Sequence, residues 1–137
     1  MANYKVMDIE GVGETFNQKL KAAGIRSTNA LLNKGATRAG RRELAEKSGI
    51  DETLILKWVN MADLYRIKGV GSEYAELLEK AGVDTVKELK MRVPENLHAK
   101  MVEVNSSGRP LVRQLPGLKQ VRRWVAEAKK MDPGVTY

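Results

Sequence analysis

The sequence predicts an all-α protein built from two tandem copies of one helical unit. Three observations carry that prediction. The stretch IEGVGETFNQKLKAAGI, residues 9–25, returns as IKGVGSEYAELLEKAGV, residues 67–83, with seven identical positions at an offset of 58. Self-similarity at a fixed spacing marks a repeated structural unit. Apolar residues in both copies recur three and four apart, the period of a helix face, whereas no period-2 run of β-branched residues is long enough for a strand.

Each copy opens with an apolar–x–Gly–Val–Gly turn. After the first, Phe16, Leu20 and Ala23 form an apolar stripe, Gly24 stops the helix, and Ile25 begins the next segment. The second copy repeats this with Tyr74, Leu77, Leu78 and Ala81, closed by Gly82. A Gly just past the last periodic residue is a frequent helix stop, because it enters the left-handed conformation without a Cβ penalty. Ser27/Thr85 and Leu31/Leu89 continue the correspondence.

The second half of each copy holds another short turn. In LAEKSGIDETLILKWV a helix ends near Lys47, the chain turns at Ser48–Gly49, and Asp51 caps a helix through Leu54, Ile55, Trp58 and Val59. In VRQLPGLKQVRRWV the pair Pro116–Gly117 takes that place before Val121, Trp124 and Val125. KWVNMA at 57–62 matches RWVAEA at 123–128, but at an offset of 66, which leaves about eight extra residues in the second copy. VPENLHAKMVEVNSSGRP, at 93–110, is the expected place for them. The predicted division is one repeat over 1–62, a second over 63–131, and DPGVTY at 132–137 as a frayed tail.

Composition narrows the function classes. With 42% apolar and 30% charged residues, the 137-residue chain reads as soluble and globular, and its single Phe means a core of Leu, Val, Ile, Ala and Met. No Cys excludes a disulfide scaffold, thiol catalysis and a Cys-based zinc site. The start, MANYKVMDIEG, lacks a signal-peptide apolar run, and no stretch approaches the roughly 20 apolar residues of a membrane span. A cytoplasmic protein without a membrane partner is expected. No enzyme and no cofactor are expected either. The carboxylates follow no two-metal pattern, His98 stands alone and fits a surface or connector role, and GVGETF has Phe16 where a dinucleotide loop needs a third Gly.

Net charge is +7 with a pI near 9.7, which favours polyanionic partners. Residues 1–62 hold ten Lys/Arg against seven Asp/Glu, and residues 63–137 hold fourteen against ten. The most basic segment is 109–130, with seven basic residues and one acidic, Glu127.

The two glycine turns, with the apolar spacing that follows them, resemble helix-hairpin-helix motifs. The first repeat, ending ELAEKSGIDETLILKWVNMA, is similar to the paired hairpin domain at the N-terminus of RadA-type recombinases. The tandem arrangement resembles a bacterial family of unknown function described as helix-hairpin-helix. The resemblance spans nearly the whole chain, specific for the first hairpin of each repeat and loose for the second. It implies a fold of two tandem helix-hairpin-helix-pair (SAM-like) repeats and sequence-independent binding of the DNA backbone. In that mode hairpin amides and helix N-termini meet phosphate oxygens while Lys and Arg add charge.

On this reading Gly11 and Gly69 permit a positive-φ turn, and Gly13 and Gly71 let backbone approach an anion. The same glycines serve a tight interhelical turn with no ligand, so neighbouring side chains discriminate better. The first turn carries Glu10 and Glu14, which repel phosphate. The second carries Lys68 with Arg66 before it, and Ser72 as a hydrogen-bond donor. The expected nucleic-acid contacts are therefore Lys68, Gly69, Gly71 and Ser72, together with Gly117, Lys119, Arg122 and Arg123 around LPGLKQVRR, with Arg113 upstream. Gly11, Gly13, Lys47 and Gly49 are secondary. Arg38, Arg41 and Arg42 form either a further phosphate patch or a solvated face. Trp58 and Trp124 lie on apolar stripes and are expected in the core. The competing function is a protein–protein adaptor whose basic surface docks an acidic partner. Structured RNA is a third reading, because backbone recognition does not itself choose the sugar.

Overall fold

The computed structural model describes residues 3–137, so the first two positions of the first predicted repeat lie outside the described residues. A 3-10 turn at Val6–Asp8 precedes α1 (Gly13–Ala22), α2 (Thr28–Gly35), α3 (Arg38–Ser48), α4 (Glu52–Leu64), α5 (Ser72–Lys80), α6 (Val86–Leu89), α7 (Pro94–Ser106) and α8 (Leu118–Lys129). The described residues form no strand, only an isolated antiparallel bridge between Lys5 and Ser27. The protein is all-α.

Local chemistry sets these boundaries. Four helices start on a side-chain cap: Ser27 accepts from the Ala30 amide, Thr37 from Gly40, Asp51 from Thr53 and Thr85 from Glu88. Such a cap stabilises a helix start by about 1 kcal/mol, since it satisfies an amide with no partner inside the helix. The stops after α1 and α5 are alike. Ile25 donates its amide to the Leu20 carbonyl and Val83 to that of Leu78, each at 2.8 Å. Phe16 packs edge-on against Trp58 at 5.1 Å between ring centroids, and Tyr74 tilts against Trp124 at 5.4 Å. Both tryptophans are buried, as expected, in one continuous apolar cluster that draws on every part of the chain.

The extra residues of the second half lie elsewhere than expected. Much of 93–110 is α7 itself. Residues 107–117 join α7 to α8, whereas 49–51 join α3 to α4; eleven residues stand against three, a difference of eight. The Pro116–Gly117 region is therefore the end of a long loop and not a tight hairpin. Side chains staple that loop down. Asn105 accepts from the Leu111 and Val112 amides at 2.8 and 3.1 Å, Tyr74 donates to the Gln114 carbonyl at 3.0 Å, and His98 Nε2 lies 3.0 Å from the Pro116 carbonyl oxygen.

Residues 132–137 are not frayed. Val135 is buried, and the Thr136 amide donates to the Ala36 carbonyl at 2.8 Å. The Arg41 guanidinium reaches the Thr136 carbonyl at 2.7 Å, and the Tyr137 hydroxyl meets Asn60 Oδ1 at 3.3 Å. A segment rich in turn residues reads as loose from its own sequence; here distant partners hold it.

Candidate nucleic-acid interface

The second glycine turn, residues 65–71, joins two helices, α4 and α5, while the first follows only the three-residue 3-10 turn. Both turns close the same way, with the Val12 amide on the Ile9 carbonyl and the Val70 amide on that of Ile67. Gly11 and Gly69 have φ of +90° and +89°, so the left-handed conformation expected of them is present. The third turn position separates the copies. Gly13 has φ +65°, but Gly71 has φ −103°, an extended backbone open to any residue.

A buried ion pair positions the second turn. Asp63, only 1% exposed, accepts from Arg66 Nη1 at 2.8 Å and from the Val86 amide at 2.9 Å. The other face of Arg66 donates to the Asp132 carbonyl at 2.9 Å. Arg66, expected to favour phosphate at this turn, is thus committed to anchoring it. The Tyr65 hydroxyl is buried without a well-formed hydrogen bond. Burial pushes its pKa up to about 12; Ser72 lies near enough to temper the rise, and Tyr4, Asp8 and Glu10 add to it. Ser72 opens α5.

The helix starts divide into two kinds. α5 begins after Gly71 and α8 after Gly117, each without a side-chain cap, as α1 does after Val12. Gly117 has φ −72°, and an added Cβ there would meet nothing within 4 Å. Neither Gly71 nor Gly117 is demanded by backbone conformation. The start of α4 differs, because the Asp51 carboxylate already occupies its amides. The Thr53 bonds hold that carboxyl below its ordinary range. Gly49 at φ +71° ends α3, and Lys47 is paired with Glu43 at 3.0 Å. The turn at 47–49 is therefore filled by the protein's own charges. Lys34 and then Lys47 hold the Glu43 carboxyl below its usual range.

The predicted basic residues also divide. Lys68, Lys119 and Arg123 are exposed and take no ion-pair partner among the described residues. Arg122 meets Glu95 at 3.0 Å; both side chains are more than half exposed, and water screens such a pair, so an anion can compete for it. Arg113 is exposed on the loop ahead of α8. Arg41 is 3% exposed and bonded to the Gly35, Ala36 and Thr136 carbonyls, so it is a structural residue and not a surface contact. Arg38 and Arg42 stay exposed, with Arg42 4.0 Å from Glu52. Around the first turn, Glu10, Gly11, Gly13 and Glu14 are all exposed, and the carboxylates stand in the path of an approaching anion.

Lys68, Gly69 and Arg123 come together. They line a cleft of about 200 Å3 with Gln120, Trp124 and Glu127. Lys119 and Gly117 lie one to two turns away along α8, at its start. Sequence reasoning missed Gln120, Glu127 and the polar edge of Trp124. A signal for Glu127 existed, since the 66-residue offset sets it opposite the buried Met61. No group of three or more His, Cys, Asp or Glu suited to a metal occurs among the described residues. No helix there is long and apolar enough to cross a membrane.

The family defined as Domain of unknown function (DUF4332) matches residues 10–131, and the chain belongs to it. Neither a curated protein nor a solved structure shows significant similarity to the chain.

Proposed function

We propose that this chain is a non-sequence-specific DNA-binding protein of two tandem helix-hairpin-helix-pair repeats, and that it grips the phosphate backbone chiefly with its second half. The observation that carries the reading is the contrast among helix starts. Those of α5 and α8 are bare and follow glycines that the backbone does not need, beside the unpaired Lys68, Lys119 and Arg123. The starts of α2, α3, α4 and α6 carry their own caps, and those of α1 and α7, also uncapped, follow Val12 and Val93 rather than a glycine. Bare amides and a positive helix end favour an anion, and a missing Cβ lets a phosphate come close. Gly69, Gly71, Lys68, Ser72, Gly117, Lys119 and Arg123 form the primary surface, with Arg122 available once it leaves Glu95. Gly11 and Gly13 shape a turn guarded by acids, and Lys47 with Gly49 drops out because Asp51 and Glu43 already fill that turn. The reading assigns no catalytic step, no cofactor and a cytoplasmic setting.

The test is a titration of labelled duplex DNA, single-stranded DNA and RNA with wild type and an Arg122→Glu/Arg123→Glu variant at low salt. Duplex binding that the charge reversal abolishes supports the reading. Binding indifferent to the reversal, or none at about 50 mM salt, sinks it, and tighter binding to RNA moves the assignment there. A protein–protein adaptor remains the second reading, favoured by the exposed Met91 and Val93 beside Lys100 and Arg92.

A further inference from the structure

The cleft between the second glycine turn and α8 brings several hydrogen-bond donors together. The Lys68 amide, Gln120 Nε2, Trp124 Nε1 and the Arg123 guanidinium all border it. Trp124 is 1% exposed, and its indole nitrogen looks into this cleft beside Gly69. An indole N–H can only donate, so it calls for an acceptor in the space it faces. A Cβ on Gly69 would sit 3.5 Å from that nitrogen and 3.6 Å from Gln120 Nε2. Both distances are ordinary contacts, and without a Cβ the two nitrogens stay uncovered on that side.

One carboxylate, Glu127, lines the cleft with these donors. Glu127 Oε1 receives the Lys68 amide at 3.2 Å. The carboxylate thus stands where an anionic oxygen would stand on the turn. The first half has no counterpart, since Met61 occupies the position of Glu127, Glu10 that of Lys68, and nothing lies within 4 Å of a Cβ on Gly11.

We infer that this cleft is an anion pocket for a backbone phosphodiester, and that Glu127 is its internal competitor. The Glu127 carboxylate holds the Lys68 amide in the free protein and must swing out before a phosphate oxygen can take the amide, the indole N–H and the Arg123 charge. Glu127 therefore sets the affinity of the second turn as a gate. The inference rests on the DNA-backbone reading and adds its regulation.

The experiment is anisotropy of labelled duplex DNA at about 50 mM salt with full-length wild type, Glu127→Gln and Glu103→Gln. Glu103 is an exposed carboxylate on α7, outside the cleft, and controls for the change in net charge. Removing one like charge at close range in a water-facing cleft is worth about fivefold in affinity. Glu127→Gln is expected to tighten binding by about that factor, with Glu103→Gln within about twofold of wild type. Equal effects of the two variants, or weaker binding by Glu127→Gln, would overturn the gate while leaving DNA binding in place. Absence of DNA binding by all three proteins would overturn both. Far-UV circular dichroism and Tm confirm that each variant is folded, and Glu127→Ala, read the same way, gives a second measure of the carboxylate's effect.

Discussion

Asp63→Asn is expected to damage the second turn more than its isosteric shape suggests. The carboxylate is 1% exposed and serves two donors, Arg66 Nη1 at 2.8 Å and the Val86 amide at 2.9 Å. An asparagine can accept only through one oxygen. If Oδ1 keeps the Val86 amide, the Nδ2 group meets the Arg66 guanidinium donor to donor. Removing one partner of a fully buried pair costs about 3–5 kcal/mol. Arg66 is 16% exposed along its side chain and keeps the Asp132 carbonyl, so water screens part of that loss. The expected cost is about 2–4 kcal/mol, a fall in Tm of roughly 6–12 °C for a chain of this size. Urea unfolding with an unchanged m-value is the assay, since the denatured state keeps its extent. Arg66→Met and the double variant complete a cycle, and the pair is expected to couple by more than about 1 kcal/mol. A cost below about 1 kcal/mol for Asp63→Asn, or additive single effects, would refute the role given to this pair.

Three further outcomes follow from the same region. Tyr65 has its pKa raised from 10.0 to about 12, so folding favours the neutral phenol; the stability it contributes is complete below pH 10 and is lost as pH rises toward 12. Tyr65→Phe is expected to match or exceed wild-type stability at about pH 7, because the buried hydroxyl has no well-formed bond, and to lose about 2–3 kcal/mol less than wild type between about pH 9 and 12 in denaturation series. Gly69→Ala is expected to cost about 1–2 kcal/mol, because φ is +89°. Gly71→Ala, at φ −103° with only Tyr4 Oη 3.9 Å away, is expected to leave stability within about 0.5 kcal/mol while weakening DNA binding about tenfold. Loss of stability in Gly71→Ala, or unchanged binding, would return that glycine to a purely architectural role.

Features written within a few residues were legible in the sequence. The repeated glycine turns, the stops at Gly24 and Gly82, the Asp51 cap and the burial of Trp58 and Trp124 all depend on local spacing and apolar period. Those set by distant partners were not. Arg41 reads as a solvated charge beside Arg42, and it is buried only because Thr136, 95 residues away, offers a carbonyl. Arg66 reads as a phosphate contact, but Asp132, 66 residues on, and the buried Asp63 claim it. The bond from Lys68 to Glu127 spans 59 residues. Gly69 and Gly71 look equivalent as letters, and only the backbone angles separate the glycine the turn needs from the one it does not. The size of the α7–α8 loop is legible from the change of offset, but its place is not, since the Ser, Gly and Pro near its start also mark a helix end.

The most direct measurement is the slope of log affinity against log salt for duplex DNA, compared between wild type and a Lys68→Ala/Lys119→Ala/Arg123→Ala variant. Every phosphate that a variant no longer neutralises lowers the slope by about one. A slope smaller in the variant by about two to three, with Tm unchanged, is the expected result. An identical slope in both proteins, or a wild type that does not bind duplex DNA at about 50 mM salt, would contradict the account.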